Sequence, residues 1–154
     1  MRPKDYDLPY RGGFVGPEHR FALTVYFEDT DTAGIVYYAN YLKFMERARS
    51  DMLRAAGIDQ RAVLEAGTGV YAVAEAQVRY LQPARLGDDL VIASRLLEIR
   101  AASVSIQQRV SCGTRQCAVG RITAAFLTPE GRPTRQPREW VETFRRIQAE
   151  QEQA

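Results

Sequence analysis

Histidine and cysteine are scarce in this 154-residue chain, and their scarcity excludes whole classes of chemistry. His19 is the only histidine, and Cys112 and Cys117 are the only cysteines. There is no Gly-x-Ser-x-Gly run either, so a Ser–His–Asp or Cys–His hydrolase is not indicated. One histidine without a cysteine cluster makes no zinc site. The two cysteines flank the Gly113-Thr114 turn and form no CxxC. A bridge across that turn is conceivable, but free thiols in a reducing cytosol are the expectation. Lysine is nearly missing too, with only Lys4 and Lys43. Arginine therefore carries the positive charge and suits bidentate contacts to carboxylate and phosphate; a biased genome composition would give the same count. The net charge of +2 is too small for a general nucleic-acid binder. No apolar run approaches the length of a membrane span, and Met1 to Asp5 lack the apolar run of a signal peptide. A single cytoplasmic domain is expected, and an apolar fraction of 45% is enough for a core.

Residues 1–19 are rich in glycine and proline and read as an arm, with His19 as a loop residue. Phe21, Leu23, Val25 and Phe27 then alternate with Ala22, Thr24, Tyr26 and Glu28, the period of a half-buried strand. Turn formers fill Asp29 to Gly34. The period next becomes helical, through Tyr38, Tyr41, Leu42, Met45, Ala48, Met52 and Ala55, with charged residues opposite. Gly57 is placed to end this helix in a left-handed cap. A further helical turn is read at Arg61 to Glu65. Four strand-like runs follow, at Val70–Leu81, Asp89–Arg100, Ser103–Ser111 and Gln116–Leu127, and short turns between them predict an antiparallel meander. From Arg138 the pattern is helical, then polar, with a fraying tail over 146–154. One long amphipathic helix beside such strands must pack its apolar face on the sheet. The fold class is α+β: a long central helix wrapped by a curved, five-stranded antiparallel sheet.

The segment richest in chemistry runs from Tyr26 to Tyr41. Three acidic residues, Glu28, Asp29 and Asp31, end a strand before the Gly34 turn and a helix start. Unpaired N–H groups at a helix N-terminus polarise a carbonyl and stabilise an oxyanion. A carboxylate just before the turn can attack that carbonyl, or take a proton from attacking water. Carboxylate plus oxyanion donors is a minimal acyl-transfer site. The plainer alternative is that Asp31 or Thr32 caps the helix while Gly34 makes the turn.

The run Tyr26 to Arg49, ending Tyr41-Leu42-Lys43-Phe44-Met45-Glu46-Arg47-Ala48-Arg49, resembles the signature of the YbgC / 4-hydroxybenzoyl-CoA thioesterase family. The resemblance extends over 20–145 and includes Val78-Arg79-Tyr80-Leu81-Gln82-Pro83-Ala84-Arg85-Leu86-Gly87-Asp88. It implies a hot-dog fold over 20–145 and hydrolysis of an acyl-CoA to a free acid and CoA, without metal or redox cofactor. It places the catalytic carboxylate on Asp31 and the carbonyl-polarising backbone N–H at Tyr38. It also sets Gly34, Val36, Tyr37 and Asn40 around the substrate, with Asn40 ordering the turn. Many YbgC-like members have His at the position of Tyr38, so a side-chain His role is missing here, while the backbone donor is unaffected.

A homodimer or homotetramer with its site at the subunit interface is implied as well, and the unpaired sheet edges of one copy agree. CoA carries phosphates, for which Arg85, Arg100 and Ser103 are candidates near strand ends; each can equally be an ordinary surface residue. The rival reading is a non-catalytic acyl-CoA or acyl-carrier-protein binding module, tied to the Tol–Pal envelope system or lipid metabolism.

Overall fold

A computed structural model describes residues 6–153; Met1 to Asp5, on which the expectation about a signal peptide rests, and Ala154 lie outside it. Six strands form one antiparallel sheet in the order β1-β2-β4-β5-β6-β3. They are β1 (Gly13–Val15), β2 (Glu18–Thr24), β3 (Val70–Tyr80), β4 (Asp89–Ile99), β5 (Ser103–Cys112) and β6 (Arg115–Leu127). Helix α1 (Asn40–Ala55) lies on one face, with α2 (Gln60–Glu65) after it and α3 (Arg138–Gln153) at the end of the chain.

α1 forms where the apolar stripe is continuous. Tyr41, Phe44, Met45, Ala48, Met52 and Leu53 are buried against the sheet, while Leu42 stays largely exposed. Each large buried side chain contributes about 1.5–3 kcal/mol. Gly57 follows the helix at φ 85°, in the left-handed region. On the sheet, Leu90, Ile92 and Leu96 from β4 meet Ile106 and Val110 from β5 under the helix. A buried polar chain fixes the helix on this floor. Gln108 donates to the Met45 carbonyl and to Ser94 Oγ, both at 3.0 Å, and accepts from Arg49 Nη1 at 3.0 Å.

Several elements differ from the sequence expectations, each for a physical reason. The arm contains β1, which turns at Gly16 (φ 59°) into β2 and adds a sixth strand. β2 stops at Thr24, because Asp29 Oδ2 accepts the Tyr26 N–H at 2.9 Å and folds Phe27–Asp29 into a 3₁₀ turn. Of the four strands expected as a meander, only β4, β5 and β6 are consecutive neighbours; β3 crosses over to the far side of β6. α3 continues helical through the stretch expected to fray, where Gln148 Nε2 donates to the Leu97 carbonyl at 2.8 Å.

His19 is not a loop residue but lies fully buried on β2, paired in register with Ser94. Its Nε2 lies 2.8 Å from Asp51 Oδ2 on α1, an oxygen that also accepts the Gly12 N–H at 3.0 Å. Arg54 reaches the other Asp51 oxygen and the Gly12 carbonyl, so the first hairpin is tied to the helix. Burial lowers the His19 pKa below 6.5, against the opposing pull of Asp51. The folded state thus holds the imidazole neutral where the unfolded chain takes up a proton, and stability falls as pH drops through 6.5. Urea unfolding from about pH 7 to about pH 5 should show this loss, and His19→Gln should show a shallower one. An equal slope in both proteins would assign the acid sensitivity to other groups.

Candidate functional site

The site grows from the way the chain passes from β2 to α1. Asp31 does not cap α1, which overturns the plainer reading of that residue. Its Oδ1 instead accepts the Ala33 N–H at 2.8 Å and the Ile35 N–H at 3.4 Å, closing its own loop. The Gly34 N–H donates to the Asp31 carbonyl at 3.1 Å, with Gly34 at φ 77°. Only glycine adopts that conformation without strain, and nothing crowds its side-chain position. Asp31 is exposed, and its Oδ2 has no partner among the described residues.

The helix start has no side-chain cap, although the Asn40 and Leu42 N–H groups donate to the Tyr37 and Ala39 carbonyls. Ala39 occupies the cap position and makes no side-chain cap bond. Asn40 reaches away from the helix, its Nδ2 donating to the Asp29 carbonyl at 2.8 Å, and so orders the turn. The Tyr37 N–H donates to the same carbonyl at 3.0 Å. The Tyr38 N–H has no acceptor among the described residues.

The Ala84–Asp88 segment braces this loop from the other side. The Val36 N–H donates to the Ala84 carbonyl at 2.8 Å, and the Leu86 N–H to the Gly34 carbonyl at 3.1 Å. Ile35 and Arg85 form an isolated antiparallel bridge. Tyr41 Oη accepts the Ala84 N–H at 3.2 Å, and Tyr80 Oη donates to the Tyr38 carbonyl at 3.1 Å. Burial raises the pKa of both phenols. A cavity of 290 Å³ opens here, lined by Val36, Tyr38, Tyr41, Tyr80 and Pro83 among others.

Asp31, Gly34, Val36, Tyr37, Tyr38 and Asn40 therefore converge with Arg85 on one loop system. Arg100 and Ser103 do not join them in the same chain. They sit at the β4–β5 turn, where Arg100 pairs with Glu98 at 3.0 Å, while the loop adjoins the opposite end of β4. The eleven residues of β4 separate the two places by roughly 35 Å. Tyr80 was not among the candidate site residues, although it lies in the second segment of the family resemblance. Only the β3–β6 pairing shows that this residue reaches Tyr38.

Known proteins share this architecture. The model of the thioesterase-like superfamily matches residues 25–146. The acyl-CoA thioesterase YbgC of Haemophilus influenzae is 33% identical over 70% of this chain and 79% of its own. A probable thioesterase from Bartonella henselae superposes with a TM-score of 0.74 at 31% identity, over 78% of this chain and 99% of that one. A 4-hydroxybenzoyl-CoA thioesterase mutant complexed with 4-hydroxybenzoyl-CoA reaches a TM-score of 0.74 at 21% identity, over 82% and 98%, a likeness of fold. With its long helix on a curved antiparallel sheet and its Asp31 loop, the chain belongs to the thioesterase-like superfamily as a YbgC-type hot-dog thioester hydrolase.

Proposed function

We propose that the chain hydrolyses an acyl-CoA thioester to a free carboxylic acid and CoA, with Asp31 as the catalytic carboxylate. The observation that carries this reading is the pairing of an open Asp31 Oδ2 with an uncapped helix start whose Tyr38 N–H has no partner among the described residues. A thioester carbonyl oxygen at the Tyr38 N–H has its carbon polarised, and negative charge developing there is stabilised. Asp31 either attacks that carbon or takes a proton from the water that does. The tetrahedral intermediate collapses, the C–S bond breaks, and the CoA sulfur leaves and takes up a proton; where Asp31 itself attacks, water then hydrolyses the Asp31–acyl anhydride, releasing the acid and restoring the carboxylate. These steps call for no metal or redox cofactor.

Val36, Tyr37 and Asn40 keep the loop in place around the thioester, and Gly34 gives it its turn. Arg85, beside that loop, is the cation proposed for the CoA phosphates. Arg100 and Ser103 can join a site only from another copy. β3 favours such an assembly, because its eleven residues form an outer edge with Val73 exposed, and an edge of that length invites pairing. A cytoplasmic homo-oligomer, dimer or tetramer, follows as part of the proposal. Both cysteines are free, and no helix among the described residues is long and apolar enough to cross a membrane.

Thiol release from a panel of acyl-CoAs tests the reading. Asp31→Asn should lower turnover by about 10²- to 10⁴-fold while the protein stays folded and oligomeric. Full activity in the variant would remove Asp31 from the mechanism. Tight thioester binding without thiol release in the wild type would favour a binding module, including one for an acyl carrier protein.

Tyr38→Pro removes the backbone donor and should cost about 10²- to 10³-fold in kcat. Unchanged turnover in a folded Tyr38→Pro protein would place the oxyanion elsewhere.

A further inference from the structure

The face of the sheet turned away from α1 carries a line of arginines. Side chains alternate along a strand. Ile92, Ser94 and Gln108 lie buried under α1, so Ala93, Arg95, Gln107 and Arg109 stand on the opposite face. Paired residues share a face, and register carries the line across the sheet. One rung reads Arg20–Ala93–Arg109–Val119–Arg79 through β2, β4, β5, β6 and β3. The adjoining rung reads Arg95–Gln107–Arg121–Gln77. Arginines thus alternate between the two rungs from β2 to β3, each about 7–8 Å from the next. The line crosses the sheet over roughly 19 Å.

Glu18 fixes the β2 end of this line. Its Oε2 accepts from Arg20 Nε at 2.9 Å, and its Oε1 from Arg95 Nε at 3.3 Å and from Arg109 Nη2 at 2.8 Å. The Glu18 side chain is only 7% exposed, whereas the three arginine side chains are 40–56% exposed. Three guanidiniums around one carboxylate leave a net positive charge, and each guanidinium has N–H donors beyond the one that Glu18 takes. Long side chains already held in place lose less freedom when a ligand arrives.

The neighbouring rungs define the shape of the partner. On one side Glu98 and Glu75 flank Ser105 and Thr123. On the other side lie Ala22, Val91 and Ser111. Positive charge is therefore confined to a band about 7 Å wide, with acid along one border and small neutral residues along the other. A flat anionic bilayer on this face meets the glutamates as well as the arginines. A nucleic-acid strand needs aromatic side chains to stack on, and the residues between the arginines are Ala93, Gln107, Val119 and Gln77. A second copy set against the face brings like charges together. A narrow rod suits the band. An α-helix is about 10 Å wide and advances about 5.4 Å per turn, close to the spacing of about 4.8 Å between strands. Roughly thirteen helical residues cover the line.

We infer that this arginine band docks an acidic α-helix of a partner protein, laid across the strands with about one carboxylate per turn over the arginines. Such docking is independent of thioester hydrolysis. It uses the face of the sheet opposite α1, and none of its arginines is Arg85, the cation proposed for CoA.

The probe is a fluorescein-labelled, lactam-stapled alanine-based helix of about 16 residues. It carries glutamates along one face at alternating three- and four-residue spacing. An isomer of the same composition has its glutamates spread around the helix. Fluorescence anisotropy with the full-length protein should show the one-faced helix binding about tenfold or more tightly than the isomer, and severalfold more weakly when salt rises from about 50 to about 200 mM. Arg121→Gln, which removes only an ion pair with the half-exposed Glu98, should weaken binding by about threefold. Arg109→Gln combined with Arg121→Gln should weaken it by about tenfold, with an unchanged circular dichroism spectrum. No binding by the wild type at about 50 mM salt, equal binding of the two peptides, or full affinity in the double variant overturns the docking site. Arginine-dependent binding of phosphatidylglycerol vesicles or of single-stranded nucleic acid in preference to the peptide overturns the helix as the partner. A raised KM for acyl-CoA in the double variant would assign these arginines to the substrate instead.

Discussion

The first turn of α1 carries no side-chain cap, and the residues able to supply one are held elsewhere. Asp31 closes its own loop, and Asn40 binds the Asp29 carbonyl. A helix start without a cap leaves N–H groups in need of acceptors, a cost that a folded chain normally removes. Here the surrounding backbone enforces it. The Val36 N–H and Leu86 N–H bonds pin the loop to the Ala84–Asp88 segment, so the chain cannot shift to bring a carboxylate over the helix end. The same bonds hold Asp31 in the loop, with its Oδ1 on the Ala33 and Ile35 N–H groups and off the helix end.

That arrangement needs a helix that does not move, and the buried polar contacts provide it. Apolar packing alone lets a helix slide with small loss, since neighbouring arrangements bury similar area. Gln108 bonding the Met45 carbonyl and Arg49, and His19 bonding Asp51, are satisfied in one position only. They act at the middle and the C-terminal half of α1, whereas Tyr41 and Ala84 secure the beginning. Losing any of these contacts leaves buried polar atoms without partners.

α1 and β4 to β6 were legible in the sequence because each is long and has a buried face, and β3, none of whose residues is fully buried, was legible as a long strand-like run between Gly69 and Pro83. The Asp31 motif was legible through family resemblance, since local chemistry by itself left a helix cap as a competing account. His19 was not legible. Its neighbours Gly16, Pro17 and Glu18 signal a turn, and only register with Ser94 on β4, 75 residues away, buries it. The crossing of β3 to β6 was hidden for the same reason, because hydrophobic period fixes a strand's faces and leaves its neighbours open. Arg100 looked like a companion of Arg85 because both end strand-like segments; the length of β4 separates them.

One copy of the chain leaves its carboxylate in water. Asp31 is exposed, and Tyr38 is 61% exposed. Polarising N–H groups act far more strongly where water is excluded, because screening by solvent weakens every charge interaction. Among the described residues, the loop is short, its backbone is committed to Ala84–Asp88, and the long β4 keeps the β4–β5 turn away. Under the proposed mechanism, cover for Asp31 has to come from outside this loop. The exposed edge of β3 ends at Tyr80, whose hydroxyl already touches Tyr38. The outer strand of the sheet thus runs directly to the loop that carries Asp31.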